Sequence, residues 1–224
     1  MRKMNTANIM LVLSSTWQTL IMVFFSSVFS TLLGLPIGIA LFITRSEAEG
    51  GLTPNRAVNI ALGKIVNILR SFPFIILMIL LIPLSRLIIG SGIGTAATII
   101  PLSIAAAPFV ARVVESALSE IDSGVIQAGR AMGSTNSEII FKIMLFEAMP
   151  GLVNGFTLTV INLIGYSAMA GALGGGGLGD LAIRYGYQRF QTDIMIMSII
   201  VIILLVEIVQ MAGNRISAHI SSKR

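Results

Sequence analysis

The chain has 224 residues, of which 55% are hydrophobic and only 11% charged, against about 45–50% and 25% in ordinary soluble domains. A soluble fold of this length needs a polar exterior that so few charges do not supply, which makes the chain an integral membrane protein. The absence of cysteine excludes disulfides, iron–sulfur clusters and thiol chemistry, the lone His219 leaves nothing for histidine catalysis, and a dispersed net charge of +5 points to no nucleic-acid partner.

Charge-free stretches map the membrane spans. None of Met4–Thr44, Ser71–Ser85, Leu87–Ala111, Ala148–Gly179 or Ile194–Val206 holds a charged residue. A helix needs about 20 apolar residues to cross the hydrocarbon core. The pattern predicts five spans, roughly 18–43, 65–88, 95–114, 149–171 and 193–213. At the amino terminus, Arg2 and Lys3 precede an apolar run too long for a signal peptide and without a small-residue cleavage site, so it reads as uncleaved. Asn5, Asn8, Ser14, Ser15 and Gln18 suit an interfacial segment leading into the first span.

The first loop ends at Gly63-Lys64, which resembles the end of a phosphate-binding loop. Val58 stands where its first glycine belongs and Ile65 where its Ser or Thr does. Energy therefore has to enter through a partner. In the second span, Arg70 heads an apolar run with Ser71 and Pro73 beside it. It either snorkels or bonds carbonyls freed by Pro73, or it faces the bundle interior as part of a translocation path. Pro36, Pro83, Pro101, Pro108 and Pro150 add further kinks, and Gly34/Gly38, Gly90/Gly94, Gly151/Gly155 and Gly171/Gly175 form small-xxx-small pairs suited to close helix packing.

The longest polar interruption, 112–147, reads as a helix–turn–helix against the membrane face. Asp122 or Ser123 caps a short helix through Val125, Ile126, Gln127, Ala128 and Ala131, and Gly133 supplies a left-handed stop. Thr135-Asn136-Ser137-Glu138 is a capping box for a second helix carrying Ile139, Ile140, Ile143 and Met144. Small residues at the bend would give a partner close access.

In span four, Tyr166, Ser167 and Met169 either pack and anchor the helix or line a path. Gly174–Gly179 satisfies a dinucleotide pattern trivially, but residue 199 is Ile where an acidic residue would be required, so the segment reads as a flexible loop at the outer mouth. Glu207 in the last span has no acidic companion, which argues against a proton relay.

Nine Lys and Arg fall in 44–64, 112–146 and 214–224 and five on the other side (Arg2, Lys3, Arg86, Arg184, Arg189). This predicts a cytoplasmic carboxyl terminus and an outside amino terminus. The predicted division is an extracytoplasmic or interfacial 1–14, a transmembrane domain over 15–212 and a cytoplasmic tail over 213–224.

Gln127-Ala128-Gly129, three residues, Gly133, nine residues, then Ile143-Met144-Leu145 resembles the EAA loop of ABC-importer permeases. It departs by Gln127 for Glu, Gly129 for the second Ala, and Phe146 for Pro. Beyond the loop, Asn67–Ile76, Ala106–Arg112, Arg130–Gly133, Gly165–Gly171, Gly177-Leu178-Gly179 and Tyr185-Gly186-Tyr187 resemble the methionine-importer permease subunit. That resemblance implies an all-α, five-span type I importer permease in the bacterial cytoplasmic (inner) membrane, translocating methionine in its D and L forms.

It also implies an ATPase-coupling loop at Gln127, Ala128, Gly129, Arg130, Ala131, Gly133, Ser134, Ile143 and Leu145. The implied partners are a second copy, two ABC ATP-binding subunits that carry the ATP, a substrate-binding lipoprotein or periplasmic protein, and membrane lipid. No catalytic residue, metal or cofactor is expected in this chain. The rival readings are a permease for another amino acid or small nutrient, and a secondary transporter. The latter would show membrane charge pairs and inverted repeats, and neither is found.

Overall fold

The computed structural model describes residues 6–47 and 50–222; Arg2, Lys3 and Asn5 at one end and Lys223 and Arg224 at the other lie outside them. Every regular element among the described residues is helical. In chain order they are α1 (Thr6–Ile43), α2 (Arg56–Ser71), α3 (Phe74–Ile89), α4 (Thr95–Ser119), α5 (Ser123–Ala131), α6 (Asn136–Glu138), a π-helical stretch π1 (Ile139–Met144), α7 (Leu145–Glu147), α8 (Met149–Gly171), α9 (Gly177–Leu181), a second π-helical stretch π2 (Ala182–Tyr187), and α10 (Thr192–Ser221).

Four helices, α1, α4, α8 and α10, are long and apolar enough to cross a membrane, and α2 with α3 makes a fifth if that bent pair is one span. The expected single helix over 65–88 is therefore broken. Pro73 has no N–H to donate and holds the extended ψ of 128°, and proline also disfavours helical geometry in the residue before it. Helix α1 starts at Thr6 and α10 runs to Ser221, so both helices extend beyond the expected spans. Pro36 and Pro83 lie inside helices α1 and α3.

The chain forms two compact units: residues 1–30, 72–106 and 160–210, and residues 31–71, 107–159 and 211–224. In the first, Met22, Leu102, Leu163 and Ile164 form one core, and Val12, Leu178, Leu181 and Ile194 form another. The Gly174–Gly179 segment belongs here, and it is not the loose loop the sequence suggested. Gly177 N donates to Gln18 Oε1 at 2.8 Å, Leu178 N to Thr19 Oγ1 at 2.9 Å, and Gly94 N to Gly174 O at 3.0 Å. A Cβ on Gly171 would stand 2.1 Å from Asp180 N, and one on Gly179 2.2 Å from Ala168 O. Glycine is required here because backbone meets backbone.

In the second unit the glycines of α1 form a seam with α4. A Cβ on Gly34 would lie 2.6 Å from Ala107 O, and one on Gly38 2.5 Å from Ala111 O. Gly151 and Gly155 similarly face Ala117 and Val113. These pairs serve intrachain packing, as small-xxx-small patterns do, whereas Gly90 and Gly94 have positive φ and open space about them. The core of this unit gathers Phe42, Leu52, Val110, Val114, Leu118, Ile126, Ile139 and Met144. Leu41, Val66 and Ala111 form a smaller cluster beside it.

Candidate functional site

Residues 112–119 of the expected loop continue α4 past the expected span end at 114, and 120–147 fold into the capped two-helix element the sequence predicts. Asp122, rather than Ser123, caps α5, accepting Gly124 N at 2.6 Å. At the other end Ser134 N donates to Gly129 O at 3.1 Å and Gly133 N to Arg130 O at 2.9 Å, while Gly133 takes φ +78°. This is the double closure in which a left-handed residue lets a helix's last carbonyls be satisfied, a conformation costly for any side chain bearing a Cβ.

Thr135 Oγ1 then accepts Glu138 N at 3.3 Å, and Glu138 Oε2 accepts Thr135 N at 3.1 Å, completing the capping box. Lys142 Nζ lies 2.9 Å from Glu138 Oε1. The hydrogen bond from Lys142, with those from Thr135, holds the Glu138 carboxyl down to about 2. The second helix departs from the simple expectation. It winds as π1 over Ile139–Met144, and Ile139 and Met144 are both fully buried.

The expected coupling residues divide by face. Gln127, Ala128, Arg130, Ala131 and Gly133 are exposed, and Ser134 is half-buried. Gly129, Ile143 and Leu145 turn inward. At Gly129 a Cβ would stand 2.7 Å from Ile143 Cδ1, the end of a flexible side chain. Met132 and Phe141 add exposed apolar surface at 77% and 62%. The element therefore buries one side and leaves a small-residue face with apolar flanks bare, the form of surface a partner can approach closely.

The path candidates fall in separate units. In the first, Pro73 precedes α3, whose Phe74 ring stacks on Tyr166 at 4.4 Å and 6°. Ser167 is buried and donates to Ile164 O at 2.7 Å, so its hydroxyl is already engaged, while Met169 is exposed. In the second, Arg70 and Ser71 close α2 and are exposed, with Ser71 Oγ donating to Asn67 O at 2.8 Å. No carbonyl freed by Pro73 is bonded by Arg70 among the described residues. Glu207 is likewise exposed.

Sequence reasoning missed a buried ion cluster in the second unit. Glu115 is 6% exposed. Its Oε1 lies 2.6 Å from Arg45 Nη2 and its Oε2 2.5 Å from Arg112 Nη1. Arg112 also donates to Asn67 Oδ1 at 2.8 Å, and Arg45 to Ser119 Oγ at 2.8 Å. The Arg112/Glu115 spacing was readable as a helical pair. Arg45, 70 positions away, was not. A cavity of about 270 Å³ opens nearby, its lining including Glu120, Asp122, Glu147 and Pro150.

Long apolar helices, internal prolines, tight glycine seams and a capped loop element with one bare face are the features of a multi-pass helical membrane protein. The chain belongs to the family described as binding-protein-dependent transport system inner membrane component, which matches residues 34–221. It is accordingly a permease component of a transport system and not an enzyme.

Among its relatives is the "Probable D-methionine transport system permease protein MetI" of Vibrio cholerae, 46% identical over 213 residues, which are 95% of this chain and 93% of that one. The "D-methionine transport system permease protein MetI" of Escherichia coli strain K12 is 49% identical over 161 residues, 72% and 73% of the two chains. A solved structure described as "Inward facing conformations of the MetNI methionine ABC transporter" superposes with a TM-score of 0.94 at 45% identity, covering 97% of this chain and 99% of that one. The all-helical type I importer permease fold is thus the one found. An amino acid ABC transporter at 17% identity and a TM-score of 0.70 shares the fold alone.

Proposed function

We propose that the chain moves methionine inward as the membrane-spanning permease of an ABC importer. It works as two copies with two ATP-binding subunits, and a substrate-binding lipoprotein or periplasmic protein delivers the cargo. The observation that carries the cargo is the set of relatives named for D-methionine transport, 44–49% identical to this chain. ATP is bound by the partner, since Val58 and Ile65 spoil the phosphate-binding pattern at Gly63-Lys64.

The α5–α7 element is the coupling loop. Gln127, Ala128, Arg130, Ala131 and Gly133 meet the ATPase, while Gly129, Ile143 and Leu145 hold them in place from beneath. The bare outer face and fully buried Ile139 and Met144 support that division. Closure of the ATPase subunits shifts the element and the permease alternates between two access states. Arg70, Ser71, Pro73, Tyr166, Ser167 and Met169 contribute to the path; the Phe74–Tyr166 stack supports a rigid wall at Tyr166. The amino terminus lies outside and the tail after 213 in the cytoplasm.

The test is reconstitution of the chain with its ATP-binding subunit and binding protein in liposomes, reading ATP-driven accumulation of labelled D- and L-methionine. Uptake of another amino acid in place of methionine would transfer the chain to the rival permease reading. A reporter fused after residue 140 should be cytoplasmic and one near 182 extracytoplasmic; the reverse would remove the coupling-loop assignment.

A further inference from the structure

We propose that Glu115, with Arg45, Arg112 and Asn67, forms the joint that carries movement of the α5–α7 element into the membrane helices. These are positioning residues, and the inference rests on the proposed reading of that element as the coupling loop. Two segments meet at the carboxylate itself, and a third, α2, joins through the bond from Arg112 to Asn67 Oδ1. Arg45 follows the end of α1, Asn67 lies on α2, and Arg112, Glu115 and Ser119 lie on α4. Both Glu115 oxygens are taken, and each arginine holds a second partner, so every link is fixed in direction.

A buried carboxylate is tolerated only when paired and hydrogen-bonded in this way. The planar fork of arginine makes such pairs geometrically strict, whereas apolar side chains can slide past one another. The coupling element is seated on the same two helices. Ile126, Ile139 and Met144 pack with Phe42 of α1 and with Val114 and Leu118 of α4. Val114 adjoins Glu115, and Phe42 lies three residues before Arg45. A push on the element therefore reaches the end of α1 and the lower part of α4 through the core, and the ion cluster makes α2 follow through Asn67. Removing the carboxylate would leave two guanidinium groups facing each other; Arg112, no longer held, would pass the motion to Asn67 less strictly, while Asn59 keeps α2 bonded to the end of α1.

The experiment uses the whole importer in liposomes and reads substrate accumulated per ATP hydrolysed. Glu115→Gln and Asn67→Ala should assemble with the ATP-binding subunits, yet lower that ratio at least about fivefold, the scale of a typical coupling between sites. Arg45→Lys, which keeps the charge but loses the fork and the link to Ser119, should lower the ratio by less than Glu115→Gln. Asn67 is exposed, so its variant carries the test even if Glu115→Gln fails to fold. An unchanged ratio in the assembled variants overturns the proposal. So does a parallel loss of uptake and hydrolysis, because a merely structural role reduces both together. Absence of ATP-driven uptake in the unaltered complex would instead overturn the proposed function, and the joint with it.

Discussion

Two glycine-punctuated turns in this chain use the same residue for opposite reasons. At Gly133, between α5 and α6, a Cβ would meet nothing within 4 Å, and glycine is needed only for a φ of +78°. Around the α8–α9 turn, Gly171 at the end of α8 and Gly179 within α9 are needed because added Cβ atoms would strike backbone at 2.1 and 2.2 Å. The first turn stands in open space; the second is closed by the chain itself. A turn whose glycine is purely conformational leaves its surface free for a partner, and one whose glycine is steric has already spent that surface on packing.

The largest effect should come from the closed turn. Gly171→Ala drives a Cβ into the Asp180 backbone, and overpacking that only backbone can relieve costs about 1–3 kcal/mol and sometimes more. The yield of folded, monodisperse protein should fall and its melting midpoint should drop. A midpoint equal to that of the unaltered chain would remove the steric account.

The open turn should respond in function more than in folding. Gly133→Val adds about 1–2 kcal/mol of left-handed strain and bulk on the exposed face. The variant should insert and dimerise while uptake collapses and the binding protein still takes substrate. Ile203→Val on exposed α10 surface is the control and should transport normally. Normal ATPase association and uptake in Gly133→Val would break the contrast between the turns.

A smaller effect separates Gly129 from both. Its added Cβ would meet only the end of a flexible side chain, Ile143 Cδ1. A rotamer shift of about 0.5–1.5 kcal/mol is offset by alanine's helix preference of about 1 kcal/mol. Gly129→Ala should therefore leave the melting midpoint nearly unchanged and retain uptake. A large drop would mean that Ile143 cannot yield.

The smallest effect is electrostatic. Glu138 titrates at about 2 instead of 4.5 because Lys142 and Thr135 bond its ionised form. A depressed carboxyl stabilises the folded state above its unfolded value, so this contribution is complete above about 4.5 and fades as pH falls through about 2. A carbon-13 titration of the Glu138 carboxyl should show the low midpoint, and Lys142→Met should move it upward. A midpoint near 4.5 in the unaltered chain would contradict the capping geometry.

The spans were legible because lipid tolerates few charges, and four charge-free stretches each overlap a long helix. The loop was legible because caps are local. Asp122, Gly133 and the Thr135/Glu138 pair act within a few residues of chain, where spacing alone states the bond. The break at Phe72-Pro73 was carried by the proline and was read only as a kink. The Gly174–Gly179 segment was misread as flexible because its donors find acceptors on Gln18 and Thr19, 159 positions earlier.

The sequence by itself determined the class of protein, the approximate spans and the capped element, since each follows from hydropathy or from hydrogen bonds between near neighbours. Only the tertiary structure decided which face of that element is bare, that Gly129 turns inward onto Ile143, and that Glu115 is shared by Arg45 and Arg112. Those depend on which helices lie side by side. A long-range pairing leaves no fixed spacing in the chain, because the intervening residues can vary in number without changing the contact.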